Sequence, residues 1–252
     1  MIKNNKGFTL IELLLSMVFG LIVLAGVIYV YVAVIGSTAT TLKTSKLNTQ
    51  LMTIMSVVTG DIRRAGFWAE TGSLASENVF NQQGDTAIEA FKSDNTVVSE
   101  NTNVDGSCIV YAYDKDEDGE LDDDEYSGFR LNGQILEMLT TPSVTKGDNC
   151  NTGGWETLSE PRIYKIKSFT VNPQNSACVN SNEPDGLDDD GANGVDDDDE
   201  RDCYSITPNT GDITVETREF IISITGELTD DSFITHSLTQ NVRVRNDLVR
   251  AR

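Results

Sequence analysis

From Leu13 to Gly36 the chain runs for 24 residues without a charge. At 1.5 Å per helical residue such a run reaches about 36 Å, enough to cross a hydrocarbon layer of about 30 Å. Beyond it, polar residues enter and the apolar ones settle onto a face: Leu47, Leu51, Ile54, Met55, Val58 and Ile62 recur at steps of three and four, the spacing of an amphipathic helix. The pattern predicts one helix from about Phe8 to Ala65, apolar all round in its first half and two-faced in its second, with Gly66 as its stop. After a Gly-, Ser- and Asn-rich stretch over 70–107 the period changes. Cys108 to Tyr113 is β-branched and aromatic, and Phe129–Leu131 and Gln134–Leu139 flank Asn132-Gly133, a strong hairpin signal. Arg162 to Val171 offers Ile163, Tyr164, Ile166 and Phe169 to a core, and Ile213–Leu228 with Phe233–Arg245 reads as a long strand pair turning at Thr229-Asp230-Asp231. An antiparallel sheet covered by the amphipathic half of the helix is an α+β fold.

Charge refines this picture through its location. The formal net charge is −21, and two segments carry −18 of it: 114–125 holds nine acids and one Lys, and 182–202 holds eleven acids and one Arg. An acidic chain of this kind is unsuited to holding nucleic-acid phosphates, and two local clusters in an otherwise balanced chain point to cation sites. Lys3 and Lys6 precede the apolar run, which places the N-terminus in the cytoplasm and the rest outside. The four cysteines, Cys108, Cys150, Cys178 and Cys203, lie in that outer part without a CxxC pair, the usage of disulfides in an oxidising compartment. Each acidic segment is bracketed by two of them, which favours 108 with 150 and 178 with 203 among three possible connectivities.

No site of small residues follows position 36, so a conventional cleaved signal peptide does not fit. Instead, Lys6-Gly7-Phe8-Thr9-Leu10-Ile11-Glu12 closely resembles the prepilin signature of type IV pilins and type II secretion pseudopilins. The resemblance implies that prepilin peptidase cuts between Gly7 and Phe8 and methylates the Phe8 amine. It divides the chain into a leader (1–7), a membrane and assembly half of the helix (8–36), an amphipathic half (37–66) and a β-rich head (67–252), a pilin-like lollipop. It also gives Glu12 a role. A carboxylate inside a membrane costs roughly 2.5–3.5 kcal/mol, and in pilins this acid meets the N-terminal ammonium of a neighbouring subunit. The stretch Asp61-Ile62-Arg63-Arg64-Ala65-Gly66-Phe67-Trp68 is similar to that of PilW-type minor pilins, relatives of PulJ-type pseudopilins, although Arg63 and Arg64 equally suit the negative end of a helix.

Segment 114–125 fits the twelve-residue calcium-loop pattern D-x-D-x-D-G-x5-E. Asp114, Asp116 and Asp118 would give carboxylate oxygens, Glu120 its carbonyl, Asp122 a ligand often through water, and Glu125 two oxygens. Gly119 and Leu121 discriminate this loop from a merely solvated one: glycine permits the sharp turn, and a lone apolar side chain can anchor the loop in the head. A strand before it excludes a helix-loop-helix hand. The second segment repeats at eight residues, Asp185-Gly186-Leu187-Asp188-Asp189-Asp190 then Asn193-Gly194-Val195-Asp196-Asp197-Asp198. It resembles calcium-binding acidic repeats, with Asp185, Asp188, Asp190, Asn193, Asp196 and Asp198 as candidate ligands, the alternative being a solvated acidic segment.

No nucleophile elbow or P-loop occurs, and the single histidine, His236, sits in a strand-like run as a face residue. The expectation is therefore a non-catalytic subunit: a PilW-type minor pilin of a type IV pilus with calcium-stabilised loops. Its partners would be other major and minor pilins, prepilin peptidase, the inner-membrane assembly platform and a tip adhesin, and it would move from the inner membrane to the pilus and cell surface. A PulJ-type secretion pseudopilin, or a calcium-dependent adhesin carried on a pilin stalk, are the alternatives.

Overall fold

The computed structural model describes residues 7–69, 78–81, 87–141 and 150–252. The leader residues Lys3 and Lys6, and parts of the polar stretch after Ala69, lie outside these. Helix α1 spans Leu10–Ile62. Its N-terminus is capped by Thr9, whose carbonyl and hydroxyl oxygens both accept from the Glu12 N–H, at 3.1 and 3.4 Å.

The chain divides into two units, Met1–Lys46 and Leu47–Arg252. In the first, every described residue is exposed, including the whole apolar run. It is long and apolar enough to cross a membrane. In the second, all six residues of the helical face are buried, together with Thr59. Their partners come from two antiparallel sheets. One has five strands in chain order, β1 (Ile88–Phe91), β2 (Cys108–Ala112), β3 (Tyr126–Asn132), β4 (Ile135–Thr141) and β5 (Gly154–Thr157). The other has β9 (Glu219–Leu228) between β6 (Tyr164–Asn172) and β10 (Asp231–Arg243). Strand β9 alternates strictly, with Phe220, Ile222 and Ile224 buried among the helical leucines. Gly226 continues that row because Leu51 lies against it: a Cβ there would sit 3.0 Å from a Leu51 methyl. The outcome is an α+β head whose core is closed by the second half of the helix.

Three details depart from the sequence pattern. The hairpin turn is Gly133-Gln134, since Asn132 is already paired with Ile135. Gly133 has φ +63°, the conformation a two-residue hairpin turn needs at its first position. The long run Ile213–Leu228 is two strands, β8 (Ile213–Thr217) and β9, interrupted at Arg218 and assigned to different sheets. Finally, β8 is the centre of a third sheet with β7 (Ala177–Asn180) and β11 (Leu248–Ala251), so the head has three sheets where one was expected.

Helix α1 ends as its sequence predicts. Gly66 takes φ +71° and donates its N–H to the Ala112 carbonyl at 2.8 Å. The freed carbonyls of Arg63 and Ala65 accept from the Arg245 N–H (3.1 Å) and the Asn246 amide (3.0 Å), so tertiary partners complete the cap. Arg64 pairs with Asp61 and lies 5.1 Å over the Tyr113 ring.

Candidate functional site

The N-terminal segment Gly7-Phe8-Thr9 precedes α1, and Glu12 lies in the first turn of the helix, exposed. An acid there is favoured by the helix dipole and by the capping position three residues after Thr9. Local helix physics thus accounts for the conformation around Glu12.

Loop 114–125 joins β2 to β3, strand to strand. Asp114, Asp116 and Asp118 bring one oxygen each to within 4.8 Å of one another. Asp114 is the pivot: it is 1 % exposed, and its Oδ2 accepts the N–H groups of Ala69 and Gly119, both at 3.1 Å. Its Oδ1 is buried without a donor. Two residues with positive φ, Glu117 (66°) and Gly119 (78°), fold the loop back on itself. Glu125 closes it, accepting from the Lys115 N–H and, at 3.0 Å, from the Asp122 N–H. Burial, reinforced by the Asp114 carboxylate, pushes the Glu125 carboxyl up despite these donors. Leu121 packs against the small buried cluster of Phe80, Ala87, Ala112 and Leu248, and so ties the loop to the head. Glu120 and Asp122 are exposed and fall outside the group of converging carboxylates.

The second segment is organised by residues that flank its repeat. Glu183, Asp185 and Asp189 form one group of oxygens within 4.8 Å, Glu183, Asp196 and Glu200 a second, and Asp188, Asp190 and Glu200 a third. Of the five aspartates among the six expected ligands, Asp185, Asp188, Asp190 and Asp196 fall in these groups and Asp198 does not. Asn193 takes φ +55° at the start of the second repeat. Glu183, Asp189 and Glu200 were not anticipated, because they stand at the edges of the pattern or at its middle aspartate. Both acidic segments are closed by disulfides, Cys108–Cys150 (Cα–Cα 6.3 Å) and Cys178–Cys203 (5.2 Å).

The acidic groups therefore offer what a divalent cation takes: several carboxylate oxygens converging on one point, with a buried oxygen at Asp114 that no donor satisfies.

Comparison with known families matches residues 40–244 to Prepilin peptidase-dependent protein B, and residues 2–28 to the Prokaryotic N-terminal methylation motif. The chain belongs to the Prepilin peptidase-dependent protein B family. No curated protein and no solved structure matches it.

The match to this family spans the helix half that covers the sheets and most of the head. The head also holds a buried ionic cluster that no sequence pattern announces. Arg218, at the break between β8 and β9, pairs with Glu100 and with Glu216 (2.7 Å). Glu216 in turn meets Arg252 at 2.7 Å and Arg250 at 3.6 Å. Burial holds the Arg250 guanidinium below the usual arginine range, with Glu216 opposing the shift, and burial pushes the nearby Tyr204 hydroxyl up. These groups fasten the third sheet to the rest of the head.

Proposed function

We propose that this family member is a minor pilin of the PilW type, a non-catalytic subunit that helps initiate or cap a type IV pilus. The observation that carries this reading is the sequence Gly7-Phe8-Thr9-Leu10-Ile11-Glu12 leading directly into a helix that continues to Ile62. Cleavage after Gly7 would expose a methylated Phe8 amine. In a filament, the exposed apolar residues of the first unit pack with those of neighbouring subunits, and each Glu12 meets the N-terminal ammonium of another chain, which offsets the burial of both charges. Before assembly the same segment holds the protein in the inner membrane, N-terminus in the cytoplasm and head in the periplasm.

The head works with calcium bound in loop 114–125. Asp114, Asp116 and Asp118 supply the converging carboxylates, with the Glu120 carbonyl, Asp122 and Glu125 completing a shell of six to eight oxygens on binding. The orphaned Asp114 Oδ1 supports this assignment, since a cation would be its partner. Oxygen-only ligands on a flexible loop favour calcium over magnesium.

Fractionation tests the role in the cell. A minor pilin is recovered with filaments sheared from the surface. Retention in the periplasm together with a secretion defect would make it a PulJ-type pseudopilin, and loop variants that assemble normally but lose attachment would make it an adhesin.

A further inference from the structure

The acidic segment between Cys178 and Cys203 has two buried acids, as loop 114–125 has in Asp114 and Glu125. Glu183 is 5 % exposed and Glu200 is 2 % exposed, whereas Asp185, Asp188, Asp190 and Asp196 face solvent. Glu200 accepts the Asp189 N–H through Oε1 at 2.8 Å, and its Oε2 is buried with no donor. Glu183 accepts the Asp185 N–H at 3.2 Å through Oε2 and faces the Asn180 amide at 3.5 Å through Oε1. Among the described residues, no Lys or Arg pairs with any acid of this segment; Arg201 donates to the Glu183 carbonyl oxygen at 3.3 Å. An unpaired buried carboxylate is strongly unfavourable, and a bound cation would supply the compensating charge that the described residues do not.

The geometry shows where it would sit. Glu183 and Glu200 each belong to two of the three oxygen groups, and they meet in the middle one with Asp196. The two repeats are bound to each other there: the Gly186 N–H donates to Asp196 Oδ1 at 2.8 Å, and the Asp196 N–H to the Leu187 carbonyl at 3.3 Å. We propose that residues 183–200 form a two-calcium site, one ion held by Glu183, Asp185 and Asp189 and the other by Asp188, Asp190 and Glu200, with the two buried glutamates joined through Asp196. This rests on the reading of the head as a calcium-binding one, and extends it from one ion to three. Ion binding and ordering of the segment are coupled, because the ligands repel one another without the metal.

Calcium stoichiometry of the full chain in detergent, measured by equilibrium dialysis and elemental analysis, tests this. The wild-type chain should bind about three ions, and Asp114→Asn/Asp118→Asn about two. Glu183→Gln/Glu200→Gln should retain about one, and Asp190→Asn, which alters only an exposed side chain, should lose one. Hydrogen exchange over 183–200 should slow on adding calcium in the wild type and not in Glu183→Gln/Glu200→Gln. The proposal is overturned if Glu183→Gln/Glu200→Gln and Asp190→Asn bind as many ions as the wild type. A single wild-type ion that vanishes in Asp114→Asn/Asp118→Asn would overturn it while leaving the first loop intact, and a count of zero would overturn both.

Discussion

Replacing Asp114 with Asn should change sign with calcium. In chelator, the Asn side-chain oxygen can still accept from Ala69 and Gly119, which now donate at 3.1 Å to a carboxylate. Exchanging a charged for a neutral acceptor costs roughly 1 kcal/mol per bond, about 2 kcal/mol in all. Against this, the variant loses a buried charge whose neighbours, Asp116 and Asp118, lie within 4.8 Å. At 4.8 Å and an effective dielectric of 20 each such repulsion is worth about 3.5 kcal/mol, before solvent screens the two exposed neighbours. In chelator the variant should therefore equal or exceed the wild type in stability. In calcium the order reverses. A site filled at a hundredfold excess over Kd stabilises the folded state by about 2.7 kcal/mol, and for a unit the size of Leu47–Arg252 that raises Tm by roughly 5–10 °C. The variant should lose most of this gain. Thermal unfolding of both proteins, followed by circular dichroism with and without calcium, is the assay. The reasoning is refuted if Asp114→Asn is destabilised equally in both conditions, which would make Asp114 a backbone cap and nothing more.

Other expectations concern the frame that holds the loops. Gly128→Ala should destabilise by about 3 kcal/mol and Gly226→Ala by about 1 kcal/mol, because the new Cβ meets the Ile109 carbonyl oxygen at 2.7 Å in the first case and a movable Leu51 methyl at 3.0 Å in the second; denaturant midpoints of the two variants would rank them. Removing the Cys108–Cys150 bridge, which spans 42 residues, should cost about 4 kcal/mol by the chain-entropy relation, measured by urea unfolding of the double Ser variant. Glu216→Gln leaves three arginines around a neutral amide and should cost about 3–5 kcal/mol, with hydrogen exchange rising first in β8 and β11.

The elements written in local periodicity were legible in the sequence. All six helical-face residues, the Gly66 stop and the strands β2, β3, β4, β6 and β10 lie within a few positions of expectation, because apolar side chains at the right period have one way to be buried. Of the strands that the pattern does not announce, β1 and β5 are only four residues long, and β7 and β11 bury polar groups. Asn180 in β7 and Arg250 in β11 are buried, and neither reads as a core position without its partner. The break at Arg218 is hidden for the same reason, since one of the two carboxylates that stabilise the buried guanidinium, Glu100, lies 118 positions away. The candidate sites divide similarly. Loop 114–125 is a local pattern, and Asp114, Asp116 and Asp118 converge as its spacing requires. In the second segment the repeat drew attention to exposed aspartates, while the acids that organise it, Glu183 and Glu200, owe their importance to burial that only tertiary packing decides.

Processing of the N-terminus decides whether this chain is a filament subunit. Intact mass and N-terminal sequencing of the chain from a host with prepilin peptidase, wild type beside Gly7→Ala, test it most directly. The wild type should begin at a methylated Phe8 and the variant should keep its leader. A wild-type chain still beginning at Met1 would contradict the assignment to a filament subunit.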